Sequence, residues 1–426
     1  MGRYNKSEAH LLRAELVIPI GSQTFSKSRT QYPVGISPLY INKARGCHVW
    51  DIDGNKYIDL VSSLAAVTIG YSDSRINNAV RKQLRKGVTF SLPGTLEAEV
   101  AELICELVPS AEMVRFGKNG TDATSAAVRL ARAYTGRDHI AVCGYHGWQD
   151  WYIGATTRNK GVPSVVSNLT HTFTYNDIES FKVIIEKFPD IACVVMEPMN
   201  SIFPEPGFLE EIRHITRMRG IVLVFDETIT GFRFSNGGAQ ELFNITPDIS
   251  TFGKGIANGF PLSAVVGKRE IMMEMEEIFF SGTFGGELLS LAVARSVLLQ
   301  IKSENVVSRL SEIGNEIISL VEPIITELEL SDILNFSGHN SWKFLQWRGN
   351  NEYDADTIRT LFMQLSFQHG LLLLNTHNVS LAHGRYIKSI FDKYEAILHE
   401  LSLAIRSKNV MEKLVVQPSR PLFRVR

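Results

Sequence analysis

Apolar and polar positions follow two different periods along the chain, and the alternation between them predicts its elements. From about residue 97 onward, amphipathic stretches of helical length are separated by short, continuously apolar runs. The pattern predicts helices over 97–108, 121–134, 177–188 and 208–219, and strands over 112–116, 139–143, 191–196 and 221–225. Strands that are apolar throughout and are separated by helices are typical of a parallel sheet covered on both faces.

The two ends of the chain have a different pattern. Two β-rich runs flank Asp53-Gly54, a dipeptide that favours a two-residue hairpin turn. After about residue 305, predicted helices over 311–328 and 355–369 alternate with short strands such as 343–347. We therefore expect an N-terminal segment, 1–65, that packs with a small α+β domain, 305–426, and a large α/β domain, 66–304, between them.

Composition and charge exclude several classes of function. The 426 residues are 44% hydrophobic and 21% charged, with a formal net charge of −1, so nothing points to nucleic acid or a membrane surface as a partner. The four cysteines form no CxxC pair, which gives a metal site little support. With neither a signal peptide nor a membrane helix in the pattern, we expect a cytoplasmic protein without a metal.

Polar residues that follow the predicted strands mark a candidate site, because open α/β sheets bind ligands outside the carboxyl ends of their strands. After the strand at 112–116, a turn of small residues contains Asn119, Gly120 and Thr121 and leads into a helix. Such a turn suits a phosphate group, but it also caps helices that bind nothing, so both interpretations stay open. Asp226 follows an apolar strand, where a carboxylate needs a positive partner.

Lys254 lies between Gly253 and Gly255 in an apolar stretch. Glycines let the backbone approach a ligand closely, and desolvation would lower the pKa of the lysine, as a Schiff-base amine requires. Tyr145 offers an aromatic face after another strand, whereas His146 has no partner at metal-ligand spacing. A phosphate turn, an aromatic ring, a strand-end acid and a lysine, in this order, are what a pyridoxal-phosphate (PLP) site requires.

Several longer stretches carry a resemblance to a known family. They are DIDGNKYIDL at 51–60, LARAYTGR at 130–137, YHG at 145–147, FDETITGFR at 225–233 and FGKGIANGFP at 252–261. With these motifs the chain resembles the class III aminotransferases, and most closely the branch that contains glutamate-1-semialdehyde aminomutase. The resemblance implies PLP fold type I: a large domain with a mixed, mostly parallel sheet between helices, and a smaller α+β domain.

The resemblance also implies roles for the residues singled out above. By similarity, Lys254 binds PLP as a Schiff base and shuttles the proton. Asp226 pairs with the pyridine nitrogen and keeps it protonated, which makes the ring an electron sink. Gly120 and Thr121 bind the phosphate, with Asn119 nearby.

Further residues are placed around the cofactor by the same resemblance. Tyr145 stacks on the ring, and Glu197 and Asn200 flank it. Thr283 matches a threonine that reaches the phosphate from the partner subunit, which implies a homodimer with two shared sites. Residues expected near the substrate are Ser26, Trp148 and His377, with Arg29 and Arg233 as candidates for a carboxylate clamp.

Two departures from the family pattern bear on the activity. Residues 148–163 are shorter than the Gly/Ser-rich gating loop of the aminomutases, and Gly286-Glu287-Leu288 replaces a usual Gly-Asn-Pro. An aminomutase must keep its intermediate enclosed, so a missing lid disfavours that activity.

We predict an aminotransferase that passes an amino group from a donor through pyridoxamine phosphate to a small carbonyl compound. Variants of this kind resemble enzymes of surface-polysaccharide and nucleotide-sugar pathways. The alternatives are the aminomutase, a PLP-dependent decarboxylase and a non-catalytic PLP-binding scaffold.

Overall fold

The computed structural model describes residues 2–420, and the chain within them divides into two units. Unit 1 combines residues 2–73 with residues 309–420, and unit 2 is the continuous stretch 74–308. Residue 1 and residues 421–426, which fall in the expected N-terminal segment and small domain, lie outside the described residues.

The strands, in chain order, are β1 (Ile41–Arg45), β2 (His48–Asp51), β3 (Lys56–Asp59), β4 (Met113–Gly117), β5 (His139–Cys143), β6 (Thr170–Thr172), β7 (Ile191–Met196), β8 (Val222–Asp226), β9 (Ile249–Phe252), β10 (Ser263–Gly267), β11 (Leu334–His339), β12 (Trp342–Trp347), β13 (Leu371–Leu372) and β14 (Thr376–Asn378). The α-helices are α1 (Asn5–Glu15), α2 (Ser62–Ala65), α3 (Ser74–Leu84), α4 (Thr95–Leu107), α5 (Gly120–Thr135), α6 (Asp150–Ile153), α7 (Ser164–Ser167), α8 (Ile178–Lys187), α9 (Phe208–Arg219), α10 (Ala239–Leu242), α11 (Arg269–Met272), α12 (Leu288–Ser303), α13 (Val306–Glu327), α14 (Ala355–Gln368), α15 (Ile387–Arg406) and α16 (Val410–Lys413). Short 3-10 turns lie at Pro19–Gly21, Phe25–Lys27, Lys254–Ala257, Met273–Glu276 and Leu381–Arg385.

Unit 2 is built on a seven-stranded sheet in the order β4-β10-β9-β8-β7-β5-β6. The strands β5 to β9 pair in parallel, and β7, β8, β9 and β10 are buried at every position. Alternate residues of β7 and β8 face two separate apolar clusters, one shared with α5 and the other with α8 and α9. Helices therefore cover both faces, and the continuously apolar strands follow from this double burial.

Strand β10 gives the sheet its mixed character, because it runs antiparallel to both β9 and β4. Only residues 253–262 join β9 to β10, which is less than the dozen or so residues that a parallel crossover needs. The chain therefore turns back beside β9. The mixed, mostly parallel sheet expected from the family resemblance is confirmed, whereas the apolar pattern alone predicted a parallel sheet.

Unit 1 contains a four-stranded sheet, β1-β2-β3-β13, and a three-stranded sheet, β11-β12-β14. The predicted hairpin is present as the antiparallel pair β2 and β3. Its turn is longer than the two residues predicted: residues 52–55 separate the strands, and Asp51 and Asn55 bond to each other across residues 52–54. The Asp53 carboxylate instead accepts from the backbone of Lys6 and Ser7 at the start of α1.

Within residues 2–420, no helix is both long enough and apolar enough to cross a bilayer.

Candidate active site

The carboxyl ends of six strands of unit 2, β4 to β9, lie at one edge of the sheet, since β4 has the same direction as β9 and its parallel neighbours. The residues that follow these strands include most of those singled out in the sequence: Asn119, Gly120, Thr121, Tyr145, Glu197, Asp226 and Lys254. A sheet of this kind concentrates loop chemistry at this edge.

Only Gly253 separates Lys254 from the end of β9. Lys254 begins a 3-10 turn and has a left-handed φ of 44°. Burial lowers the pKa of its ammonium group to about 8, although the carboxylates of Glu197 and Asp226 act in the opposite direction. A Cβ atom added at Gly253 would lie 3.2 Å from Cγ2 of Thr228 and 3.8 Å from Cα of Gly120. The glycine before the lysine therefore lets this backbone lie close to Thr228 and to the start of α5.

Asp226 ends β8 as a buried carboxylate that accepts hydrogen bonds at both oxygens. Oδ1 accepts from the backbone N–H and hydroxyl of Thr228, at 3.1 and 2.5 Å, and from the hydroxyl of Thr251 at 3.1 Å. Oδ2 contacts Nδ1 of His146 at 2.9 Å. Burial raises the pKa of Asp226, but the bonds from His146 and Thr228 outweigh it, so the pKa lies below its usual value. The carboxylate is therefore held ionised and fixed in orientation.

His146 is a site residue that the sequence did not assign. Its ring is buried, with Nδ1 against the Asp226 carboxylate and Nε2 3.0 Å from the carbonyl oxygen of Cys143. Both partners are acceptors, so the ring donates to both when each nitrogen carries a proton. The sequence shows only a histidine after a strand, and its partner lies 80 residues further on; only the pairing of β5, β7 and β8 brings the two together.

Glu197 follows β7 and is buried beside the residues after β5. Its Oε2 accepts from the backbone N–H of Tyr145 at 3.1 Å and from Nδ2 of Asn200 at 2.8 Å. Burial raises the pKa of Glu197, although the nearby His146 acts against this. Gly144 has a φ of 106°, and a Cβ atom there would lie 2.5 Å from Oε2 of Glu197. The glycine is needed for this close approach.

The turn before α5 has the features of an anion site. The Asp122 carboxylate accepts from the backbone N–H groups of Lys118 and Asn119, at 2.9 and 2.8 Å, and so fixes the start of the 16-residue helix. The Thr121 hydroxyl is buried and has no hydrogen-bond partner within the described chain. Buried hydroxyls are normally satisfied, so this one points to a missing group. A helix N-terminus with such a hydroxyl favours a phosphate.

Of four further residues expected near the cofactor or the substrate, three are exposed on unit 2 and the fourth, Arg233, is buried. The Tyr145 side chain is 51% exposed and packs edge-on against Tyr152, with the ring centroids 5.7 Å apart. Trp148 is 65% exposed, and Thr283 is exposed in the loop before α12. Arg233 is buried in unit 2, where burial lowers the pKa of its guanidinium to about 10.

Three of the residues expected to contact the substrate belong to unit 1. Ser26 is exposed in a 3-10 turn, and Arg29 forms an ion pair with Glu15. His377 is buried in β14 and hydrogen bonded to the hydroxyl of Tyr394, and burial lowers the pKa of its ring to about 3. A buried ring with a satisfied nitrogen favours a structural role for His377 over substrate contact.

The segment after the Tyr145-His146-Gly147 motif is anchored to the body of unit 2. Trp151 and Tyr152 are buried in the cluster shared with α5. The Trp151 indole N–H donates to the hydroxyl of Ser125 at 3.0 Å, and the Tyr152 hydroxyl donates to the carbonyl oxygen of Gly144 at 2.8 Å. The hydroxyl of Thr170 bonds to the Trp151 carbonyl. These contacts hold the segment against the sheet.

Among residues 2–420, no group of three or more His, Cys, Asp and Glu side chains is arranged to hold a metal ion.

Comparison with known proteins identifies both sequence and structural relatives. A family model described as aminotransferase class-III matches residues 31–381. Glutamate-1-semialdehyde 2,1-aminomutase 2 of Brevibacillus brevis is 39% identical over 330 residues, which are 73% of this chain and 77% of the relative. The glutamate-1-semialdehyde 2,1-aminomutase of Syntrophobacter fumaroxidans is 38% identical over 312 residues, 69% and 72% of the two chains.

Two solved structures have the same fold along nearly the whole chain. An omega-transaminase from Sphaerobacter thermophilus superimposes with a TM-score of 0.84 and 28% identity, covering 93% of this chain and 99% of that one. The FumI protein of Sphingopyxis sp. MTA144, in its PLP internal aldimine form, gives a TM-score of 0.88 and 26% identity, covering 97% and 99%.

Proposed function

The chain belongs to the class III aminotransferases, and we propose that it moves an amino group between two separate small molecules with PLP bound through Lys254. The family and its aminomutase relatives make it an enzyme, so the alternative of a non-catalytic scaffold is not retained. When bound, PLP supplies an electron sink for the negative charge that develops on the substrate carbon.

The residues at the sheet edge fit this cofactor. The unpartnered hydroxyl of Thr121 and the first N–H groups of α5, from Gly120 onward, would hold its phosphate, with Asn119 beside them. The ionised Asp226 would hold a proton on the ring nitrogen. Tyr145 would cover the ring.

Lys254 and its neighbours would carry out the proton chemistry. With a pKa of about 8, its Nζ carries a lone pair in a useful fraction of molecules near neutral pH, so it can form the covalent bond to the cofactor. The same nitrogen would then take a proton from the substrate carbon and return it elsewhere. Thr228, Thr251 and His146 keep the Asp226 carboxylate oriented while this happens.

Transfer between two molecules, rather than within one, is supported by the anchored segment after the Tyr145-His146-Gly147 motif. Intermolecular transfer requires the first product to leave before the acceptor enters, whereas an aminomutase must keep its intermediate enclosed. Here Trp151 and Tyr152 are buried and hydrogen bonded to the body of unit 2. This is the observation that carries the choice of activity.

The aminomutase is the second candidate, because two aminomutases are 38% and 39% identical to the chain. Supplying glutamate-1-semialdehyde as the only amine separates the two. Rapid, complete conversion to 5-aminolevulinate would establish the aminomutase and overturn our proposal. We expect at most slow conversion, because the intermediate escapes.

The direct test follows the two half-reactions by absorbance. The PLP-loaded enzyme is mixed with a panel of amines and amino acids; conversion to pyridoxamine phosphate with release of a carbonyl product identifies the donor. After removal of the donor, a carbonyl panel should restore PLP and yield a new amine. A Lys254→Ala variant is the control and should bind the cofactor without turnover. Carbon dioxide release without pyridoxamine phosphate would instead establish a decarboxylase.

The proposal extends to the assembly and the pathway. We infer a cytoplasmic homodimer in which Thr283 of each subunit contacts the partner's phosphate, as the family pattern around this residue implies. The departure at Gly286-Glu287-Leu288 supports an acceptor from surface-polysaccharide or nucleotide-sugar precursor synthesis. The carbonyl panel should therefore include keto-sugars linked to nucleotides. We keep Ser26 and Trp148 as candidate substrate contacts, to be tested by alanine variants in the same panel.

A further inference from the structure

Glu287, which stands where the family pattern has an asparagine, has a defined structural role in unit 2. Its carboxylate caps α12 by accepting from the backbone N–H groups of Leu289 and Ser290, at 2.6 and 3.2 Å, and from the Ser290 hydroxyl at 2.7 Å. An asparagine would cap a helix equally well, because the cap needs only a short acceptor. Capping alone therefore leaves the charge of Glu287 unexplained.

Lys118 is the partner of that charge. Its Nζ lies 3.0 Å from Oε2 of Glu287, and the two side chains are only 19% and 13% exposed. Burial raises the pKa of Glu287, but hydrogen bonds from Ser290 and Lys118 outweigh it, so the pKa lies below its usual value. The ion pair is sheltered from solvent, and removing either side chain would leave the other without its partner.

The backbone of Lys118 belongs to the proposed phosphate turn. Its N–H donates to the Asp122 carboxylate, in parallel with the N–H of Asn119, and the next residues are Gly120 and Thr121. The side chain of Lys118 thus fixes this turn to a residue 169 positions later in the chain.

The other residue of the ion pair, Glu287, directly follows the loop that carries Thr283. This loop, residues 281–286, is called the Thr283 loop. The N–H of Gly285 bonds to the carbonyl of Gly282, and the N–H of Glu287 bonds to the carbonyl of Phe284. A Cβ atom at Gly285 would lie 3.2 Å from the carbonyl oxygen of Phe116, in the strand that leads to the phosphate turn. The loop and the turn therefore form one connected structure within a subunit.

We propose that the Lys118–Glu287 ion pair couples the two phosphate sites of a homodimer. Within one subunit it joins the phosphate turn of that subunit's own site to the Thr283 loop, which serves the partner's site. Ordering either segment orders the other, so each cofactor binds more tightly when both sites are filled. This inference rests on the proposed function, namely PLP at Lys254 and a dimer that exchanges Thr283.

Mixed dimers test the coupling. One subunit is wild type and the other carries Lys118→Met; the two bear different purification tags, and the cofactor-free dimer is titrated with PLP by Schiff-base absorbance. Both sites should weaken together, by about tenfold, within the 5- to 150-fold range usual for coupling between sites. An ion pair that orders only the phosphate turn of its own subunit would give one weakened site and one with wild-type affinity, and that biphasic titration would overturn the coupling.

Further variants separate the ion pair from general damage. Glu287→Gln keeps an acceptor for the α12 cap and should weaken PLP binding as Lys118→Met does. Arg295→Met, which removes an exposed ion pair to Glu99 from the same helix, should leave PLP affinity unchanged. Pyridoxal, which lacks the phosphate, should bind all four proteins equally.

The outcomes distinguish this inference from the proposed function. A wild-type protein that forms no Schiff base overturns both. A wild type that binds PLP, with the Lys118 and Glu287 homodimers binding it equally well, overturns the coupling alone. A monomeric wild type with bound PLP overturns the coupling and the proposed homodimer, but leaves PLP at Lys254 standing.

Discussion

Replacing Lys254 by methionine should stabilise the cofactor-free protein, although under the proposed function it should abolish activity. Burial lowers the pKa of this lysine from 10.5 to about 8, which means that the folded protein disfavours its charged form. A tenfold change in proton affinity is worth about 1.4 kcal/mol, so the change in pKa corresponds to about 3 kcal/mol. Because the side chain is partly exposed, we expect about 2 kcal/mol at pH 7.

The pH dependence of this gain has a definite sign. Below pH 8 the lysine is charged in both the folded and unfolded states, and the full cost of burying the charge is present. Between pH 8 and 10.5 the unfolded state binds more protons, so the wild type gains stability as the pH rises. Above pH 10.5 both states are neutral and the cost is absent. The advantage of Lys254→Met should therefore be largest below pH 8 and vanish by about pH 11.

Urea unfolding of both cofactor-free proteins between pH 6.5 and 11 measures this difference. Other groups that titrate in the same range cancel, because they are common to both proteins. Lys302→Met, an exposed position in the same unit, is the matched control and should change stability by no more than about 0.5 kcal/mol at pH 7. A Lys254→Met protein no more stable than wild type at pH 7, or a gain that persists unchanged to pH 11, would refute the reasoning.

Three further predictions concern the carboxylates of the site. Asp226→Asn keeps an acceptor but loses the charge, and should slow the donor half-reaction about 10²- to 10³-fold in stopped-flow absorbance at saturating PLP; an unchanged rate would contradict the role of the charge. His146→Phe removes a donor that lowers the pKa of Asp226, so the acidic limb of the kcat/KM profile should move to higher pH, and an unmoved limb would speak against it. Gly144→Ala places a Cβ atom 2.5 Å from Glu197 and should cost about 2–4 kcal/mol in thermal unfolding, against about 1 kcal/mol for Gly136→Ala, which has the left-handed backbone but open space; equal losses would count against the contact.

Much of the large sheet could be predicted because its signals are local. The strands at 139–143 and 191–196 and the helix at 208–219 have the predicted bounds, since each is a single apolar or amphipathic run. The prediction of a two-residue hairpin turn was wrong. Asp53 accepts hydrogen bonds from residues of α1, and no local sequence pattern shows this partner.

The residues of the candidate site also differ in whether a local pattern could predict them. Residues with a motif of their own, such as Lys254 between glycines, could be found from the sequence. The bond between His146 and Asp226 could not, because it depends on which strands become neighbours in the sheet. The ion pair of Lys118 and Glu287 could not be predicted either, because the two residues are 169 positions apart. The sequence showed only a glutamate where the family pattern has an asparagine.

The reversed strand β10 has a consequence for synthesis of the chain on the ribosome. The strand β4, which leads to the phosphate turn, pairs within the sheet only with β10, and β10 is made about 150 residues later. At about 5–20 residues per second, β10 is synthesised roughly 8–30 seconds after β4. Nascent chains that end before β10 should therefore be unable to capture the cofactor, and the newly made protein must spend this interval with an unpaired strand that chaperones can recognise.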